Sequence, residues 1–141
     1  FYTGDVRSAN SILAEQKKNM SSEEKAKNLQ QMCGLAEDMK QALEHDDLSS
    51  FGDLLNEGWK LKRTLASGIS NPVIDEAYET AMSNGALGGK LLGAGGGGFL
   101  LFYCEPEKQE QLRVALKMRP FPFKFEKDGT SVVYIGDKYW D

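Results

Sequence analysis

The chain has 141 residues, enough for one ordinary domain with a real core and too few for two large ones. Its net charge of -4, with 27% charged residues and no long block of one sign, removes the electrostatic case for a nucleic acid or an acidic membrane surface as partner. No apolar run approaches the roughly 20 residues that cross a bilayer, and the N-terminus lacks the basic-then-apolar layout of a signal peptide, so a soluble cytoplasmic protein is expected.

Phe1-Tyr2-Thr3-Gly4 reads as the last positions of a strand whose beginning is missing, so the chain is expected to be a fragment. From Asp5 to Lys18, Val6, Ala9, Ile12 and Leu13 form a narrow apolar stripe at helical spacing. Ser21 and Glu24 have capping-box spacing, and Leu29, Met32, Ala36, Met39 and Leu43 predict a long helix packing along a seam. A third helix carries Leu48, Phe51, Leu54, Leu55, Trp59, Leu61 and Leu65, with Asp46 and Asp47 as capping residues. Asn71-Pro72 opens a fourth helix as N-cap and first residue, and Asn84-Gly85 stops it.

At Ala86 the pattern changes to strand, glycine turn, strand: Leu87, Leu91 and Leu92 lead into Gly93-Ala94-Gly95-Gly96-Gly97-Gly98, and Phe99-Leu100-Leu101-Phe102-Tyr103 leaves it. A continuous apolar run suits a strand covered on both faces near the centre of a sheet. Pro106 then opens a short helix. Phe121, Phe123 and Phe125 alternate with Pro122, Lys124 and Glu126 as in an edge strand, and Asp128-Gly129 turns into Val132-Val133-Tyr134-Ile135. This order predicts an α+β domain with antiparallel pairing. Cys33 and Cys104 belong to no Cys-x-x-Cys pair and are expected as buried thiols, while His45, the lone histidine, is expected to cap a helix in solvent.

Gly93-x-Gly95-x-x-Gly98 satisfies the dinucleotide-binding pattern letter by letter, but that motif needs a helix directly after the glycines to hold the pyrophosphate, and here a strand follows. A Walker A loop needs Lys-Ser/Thr after the glycines, where Phe99-Leu100 stands. A flexible linker is disfavoured because apolar flanks tie both ends into a core. Two readings remain open: an anion-binding nest of successive N–H groups, or a tight turn where two backbones pack closely.

The stretch Gly89-Lys90-Leu91-Leu92-Gly93-Ala94-Gly95-Gly96-Gly97-Gly98-Phe99 resembles the third signature motif of the GHMP superfamily, the kinases of galactose, homoserine, mevalonate and phosphomevalonate. Tyr2-Thr3-Gly4 with Arg7-Ser8-Ala9, Trp59-x-Leu61-Lys62 and Ser67-Gly68-Ile69-Ser70-Asn71-Pro72-x-Ile74-Asp75 extend the likeness, and together they resemble bacterial D-glycero-D-manno-heptose 7-phosphate kinases. The resemblance implies a C-terminal α+β domain with a ferredoxin-like core, antiparallel sheet and helical layer over residues 1–141, completed by an N-terminal ATP-binding domain as its partner. It also implies ATP and Mg2+ as cofactors and phosphoryl transfer to the anomeric hydroxyl of the heptose phosphate. The family's ATP loop of Pro-x-x-x-Gly-Leu-Gly-Ser-Ser-Ala type does not occur in these residues, so no catalytic residue is assigned to them and the chain alone is expected to be inactive.

On this reading the backbone amides of Gly93, Ala94, Gly95, Gly96, Gly97 and Gly98 face a phosphate. Lys90 is either a mobile charge for a phosphate or a solvated strand-end lysine, and Arg7 either forks onto a sugar phosphate or makes a surface salt bridge. Ser67, Ser70 and Asn71 surround a loop entering a helix, where their hydroxyl and amide groups either contact sugar hydroxyls or phosphate or, for Asn71, simply cap the helix, and the resemblance implies that this loop lies near the acceptor pocket. Fucose or galactose are alternative acceptors. From another class, a non-catalytic regulatory module binding a small anion on the same turn, or a domain that only packs against a partner, also fits the residues.

Overall fold

Capping places the helix boundaries in the computed structural model, which describes residues 1–4, 9–127 and 129–131. The helices are α1 (Ala9–Asn19), α2 (Glu23–Glu44), α3 (Leu48–Thr64), α4 (Pro72–Ser83) and α5 (Gln109–Leu116). The Asp47 carboxylate accepts the Ser50 N–H at 3.0 Å to open α3, and Asn71 Oδ1 accepts the Ile74 N–H at 3.0 Å to open α4 with Pro72 at its first position. Each bond satisfies an N–H that the helix itself leaves orphaned. Gly85, at φ +104°, then carries the chain away from α4.

The capping box expected at Ser21 is not formed. Ser22 is the N-cap of α2, and Ser21 Oγ donates instead to the Lys18 carbonyl at 3.0 Å, satisfying the C-terminal end of α1. The α2 seam also sits one position off. Met32 and Met39 are half-buried as expected, but Ala36 and Leu43 are exposed, and Leu35 and Ala42 face inward in their place. Gly58 of α3 explains part of this, since a methyl there would come within 3.8 Å of Leu35 Cδ1. Cys33 lies exposed on the outer side of α2, contrary to expectation, whereas Cys104 is buried. His45 is the exposed C-cap of α2.

Strand β1 (Ala86–Leu91) pairs antiparallel with β2 (Leu100–Cys104), Lys90 opposite Leu101 and Leu91 opposite Leu100. The N-terminal residues add to the other edge of β2. Phe1 and Leu100 exchange backbone hydrogen bonds at 2.8 Å, the Thr3 N–H donates to the Gly98 carbonyl, and Tyr2 bridges on to Arg119. Only Leu100 and Cys104 of β2 are buried, so its middle residues are less covered than a central strand would be.

α3 lies directly on β1. A methyl at Gly88 would collide with the Gly52 carbonyl oxygen and stand 2.9 Å from the Asn56 nitrogen. The Tyr78 hydroxyl shares its proton between Asn56 Oδ1 at 2.9 Å and the Gly89 carbonyl at 3.2 Å, joining α4 to both elements, and burial pushes its pKa up to about 12. Trp59, Ile69, Ile74, Leu91 and Leu100 are fully buried between α3, α4 and the sheet, each such side chain contributing about 1.5–3 kcal/mol of burial. A second cluster of Ala81, Ala86, Cys104, Leu112 and Leu116 fixes α5 on α4.

Pro106 opens a 3-10 turn, Pro106–Lys108, before α5. The edge strand expected at Phe121, Phe123 and Phe125 is absent. Pro120 and Pro122 have no N–H to give a ladder, and the three rings turn instead toward Phe1, Leu92 and Phe99, lining an open apolar groove of about 570 Å³. Arg7, Asp128 and the hairpin strand expected at Val132–Ile135 lie outside the described residues. No helix among the described residues is long and apolar enough to cross a membrane.

Candidate functional site

The glycine turn is clamped from two sides. Its neck closes where the Leu92 N–H donates to the Phe99 carbonyl at 2.8 Å, and Gly96 N–H donates to the Ile69 carbonyl at 2.9 Å in the loop between α3 and α4. Gly95 sits at φ +123°, and a Cβ there would lie 2.7 Å from Ile69 Cα and 3.0 Å from its carbonyl oxygen. Only glycine meets both demands at once. On the other side Thr3 Oγ1 accepts the Gly98 N–H at 2.9 Å and donates to the Gly98 carbonyl at 3.1 Å. Such anchoring excludes a flexible linker.

These bonds divide the turn's donors. The amides of Gly96 and Gly98 are spent on the protein, while those of Gly93, Ala94, Gly95 and Gly97 have no acceptor among the described residues. Gly96 is buried and Gly93 exposed, with the other residues of the turn half-buried. Unspent amides in a fixed turn are the makings of an anion nest.

Lys62, in the last turn of α3, reaches the base of the turn. Its ammonium donates to the Leu91 carbonyl at 3.1 Å and to the Gly93 carbonyl at 2.6 Å. Burial, and then the charge of Lys90, lower its pKa to about 8. Among the described residues neither lysine has a carboxylate within ion-pair distance, so two positive charges stand together beside the turn uncompensated. Their mutual repulsion is relieved by any anion that settles there.

The loop residues are already engaged. Ser67 N–H and Oγ donate to the two Glu15 carboxylate oxygens at 2.8 and 3.2 Å, and this holds Glu15 below its ordinary pKa. Ser70 Oγ donates to Asp75 Oδ1 at 2.6 Å, and the same carboxylate pairs with Arg63 at 3.2 Å. Asn71 caps α4 and places Nδ2 3.5 Å from the Gly96 carbonyl, at the limit of a hydrogen bond. The structure therefore brings Asn71 to the turn, places Lys90 near Lys62 at its base, and ties Ser67 to α1.

Phosphate chemistry fits this arrangement, because it supplies fixed amide donors and positive charge. Magnesium does not. No group of three or more His, Cys, Asp or Glu among the described residues is placed to hold a metal ion.

Two residues of the site carry no role in the sequence reading. Lys62 follows Leu55 and Trp59 at spacings of four and three, which places a lysine on the buried stripe of α3 and is a readable signal. Thr3 meets Gly98 across 95 positions of sequence, and no local pattern marks that contact.

Residues 39–119, which span the C-terminal end of α2, all of α3 to α5 and both strands, match the family described as GHMP kinases C terminal. A D-glycero-alpha-D-manno-heptose 7-phosphate kinase of Campylobacter jejuni is 33% identical over 135 residues, covering 92% of this chain and 39% of that protein. An L-fucokinase/L-fucose-1-P guanylyltransferase of Bacteroides fragilis is 34% identical over 119 residues, 82% of this chain and 12% of that protein. The crystal structure of L. major mevalonate kinase in complex with R-mevalonate aligns with a TM-score of 0.71 at 22% identity, over 82% of this chain and 36% of that one, a likeness of fold. The chain thus spans about two-fifths or less of the length of these relatives. By its matching residues and by its helical layer on an antiparallel sheet, the chain belongs to the GHMP kinase family as a C-terminal domain.

Proposed function

We propose that this chain is the C-terminal domain of a cytoplasmic ATP-dependent sugar kinase, and that it binds phosphate on its glycine turn while an N-terminal domain supplies the nucleotide loop and the magnesium site. The observation that carries this reading is the clamped turn, with the amides of Gly93, Ala94, Gly95 and Gly97 unspent beside Lys90. Fixed amides stabilise a phosphoryl group without a titrating side chain and without reorganising as charge develops. Lys90 adds a mobile charge. Asn71 and Ser70 hold the loop against which the turn rests, and with Ser67 they border the sugar. ATP supplies the transferred phosphoryl group when bound, and this chain's residues position it.

The acceptor we propose is D-glycero-D-manno-heptose 7-phosphate at its anomeric hydroxyl. Similarity across nearly the whole chain to the Campylobacter jejuni kinase of that substrate supports it. The test is ATP-dependent phosphorylation by a protein that joins this chain to its N-terminal domain, assayed on heptose 7-phosphate, fucose, galactose and mevalonate. Turnover on heptose 7-phosphate above the other three supports the reading. Turnover on another sugar moves the acceptor, and phosphate binding without turnover on any of them leaves a regulatory anion-binding module instead.

A further inference from the structure

We propose that Lys62 is a positioning residue for the turn: it orients and polarises the Gly93–Ala94 peptide so that the Ala94 N–H is presented to phosphate. This rests on the reading of the turn as a phosphate site. The peptides of the described residues are trans, so a carbonyl and the following N–H point in opposite directions across the C–N bond. Lys62 Nζ holds the Leu91 and Gly93 carbonyls together. The first bond leaves the Leu92 N–H directed at the Phe99 carbonyl, which closes the neck. The second leaves the Ala94 N–H on the side away from Lys62, where it has no acceptor among the described residues. Gly93, at φ +76° with nothing within 4 Å of where a Cβ would stand, has no packing to fix this orientation, and the ammonium supplies it. A cation on the carbonyl also withdraws electrons along the peptide and strengthens the N–H as a donor.

Lys62 touches the carbonyls and not the anion, so its role differs from that of Lys90. Lys90, from β1, is the charged group that acts on it, and no carboxylate from α3, β1 or the turn pairs with it. An ammonium poised to lose its proton near pH 8 makes the turn's orientation sensitive to pH in that range.

The test is carbon- and nitrogen-resolved NMR of the full chain titrated with inorganic phosphate at pH 7.5. Expected in the wild type are shifts of the Ala94 and Gly95 amides on adding phosphate. Without phosphate, the Leu91 and Gly93 carbonyl carbons move together with Lys62 Cε as pH is raised. Lys62→Met weakens phosphate binding about tenfold, Lys62→Arg retains most of it, and Lys60→Met, which removes a charge from the outer face of the same helix, changes it little. Equal affinity in wild type and Lys62→Met overturns the role of Lys62 and leaves the phosphate site standing. No response of the wild-type turn to phosphate overturns both. Should Lys62→Met not fold, the wild type decides: affinity falling between pH 7.5 and 9 as the Lys62 Cε resonance titrates supports the proposal, and constant affinity through that titration overturns it.

Discussion

Gly93 and Gly95 both take positive φ, yet they answer to different constraints. At Gly95 a methyl meets the Ile69 backbone at 2.7 Å, which cannot move aside as a flexible side chain would. Gly95→Ala is therefore expected to lower stability by about 2–3 kcal/mol, read by thermal or urea denaturation. At Gly93 the space is open, so Gly93→Ala costs about 1–2 kcal/mol of backbone strain and folds, but its methyl crowds an anion on the exposed side. Phosphate affinity should drop in that variant while the core remains native. Titration adds a signature of its own. Lys62 binds its proton less tightly folded, at about 8, than its ordinary 10.5, so the unfolded chain holds more protons and stability rises between those values. The partial exposure of Lys62 screens this gain to about 1 kcal/mol. Tyr78 acts in the opposite sense: folded at about 12 against an ordinary 10, it contributes stability below pH 10 that is lost on approach to 12. Stability should peak near pH 9–10, and in Lys62→Met the rise from pH 8 should vanish while the later fall persists.

Helix caps separate structural from site effects at the level of elements. Asp47→Ala and Asn71→Ala each remove one side-chain bond to a helix N-terminus, so each is expected to cost about 1 kcal/mol. Only Asn71 also borders Gly96, and only Asn71→Ala should perturb the turn's amide resonances and its phosphate response. Both caps were legible in the sequence because they act between a residue and its third neighbour, which the chain itself brings together. The strand, turn, strand unit was legible for a similar reason, since apolar flanks and glycines specify a local reversal. The α2 seam was less so: a stripe of threes and fours leaves open which of two adjacent positions faces inward, and Gly58 on the opposing helix favours Leu35 over Ala36. Phe121, Phe123 and Phe125 show the limit of alternation as a signal. A strand needs a partner as well as a period, and with Pro120 and Pro122 among them the rings cover an apolar groove instead. The position of the glycine turn could be read from composition, whereas the split between spent and unspent amides depends on Ile69 and Thr3, which no window around the glycines contains.

Across the whole molecule the turn is held by Thr3 from the start of the chain, by Lys62 from the end of α3 and by Ile69 from the following loop. Gly93, Gly95, Gly96 and Gly98 are each held by a residue outside the turn. The Thr3–Gly98 contact spans 95 positions, carries a larger loop-closure cost than the α3–β1 and β1–β2 pairings and is therefore expected to form after them. Thr3→Val should then speed unfolding and leave the refolding rate nearly unchanged in stopped-flow measurements, a φ-value close to zero. The consequence of the three-point clamp is one of timing: if the turn is the phosphate site proposed above, a site assembled only after the surrounding helices and strands have docked withholds its ligand from every partly folded chain, and phosphate binding is then expected to stabilise the finished fold alone and draw the folding equilibrium toward it.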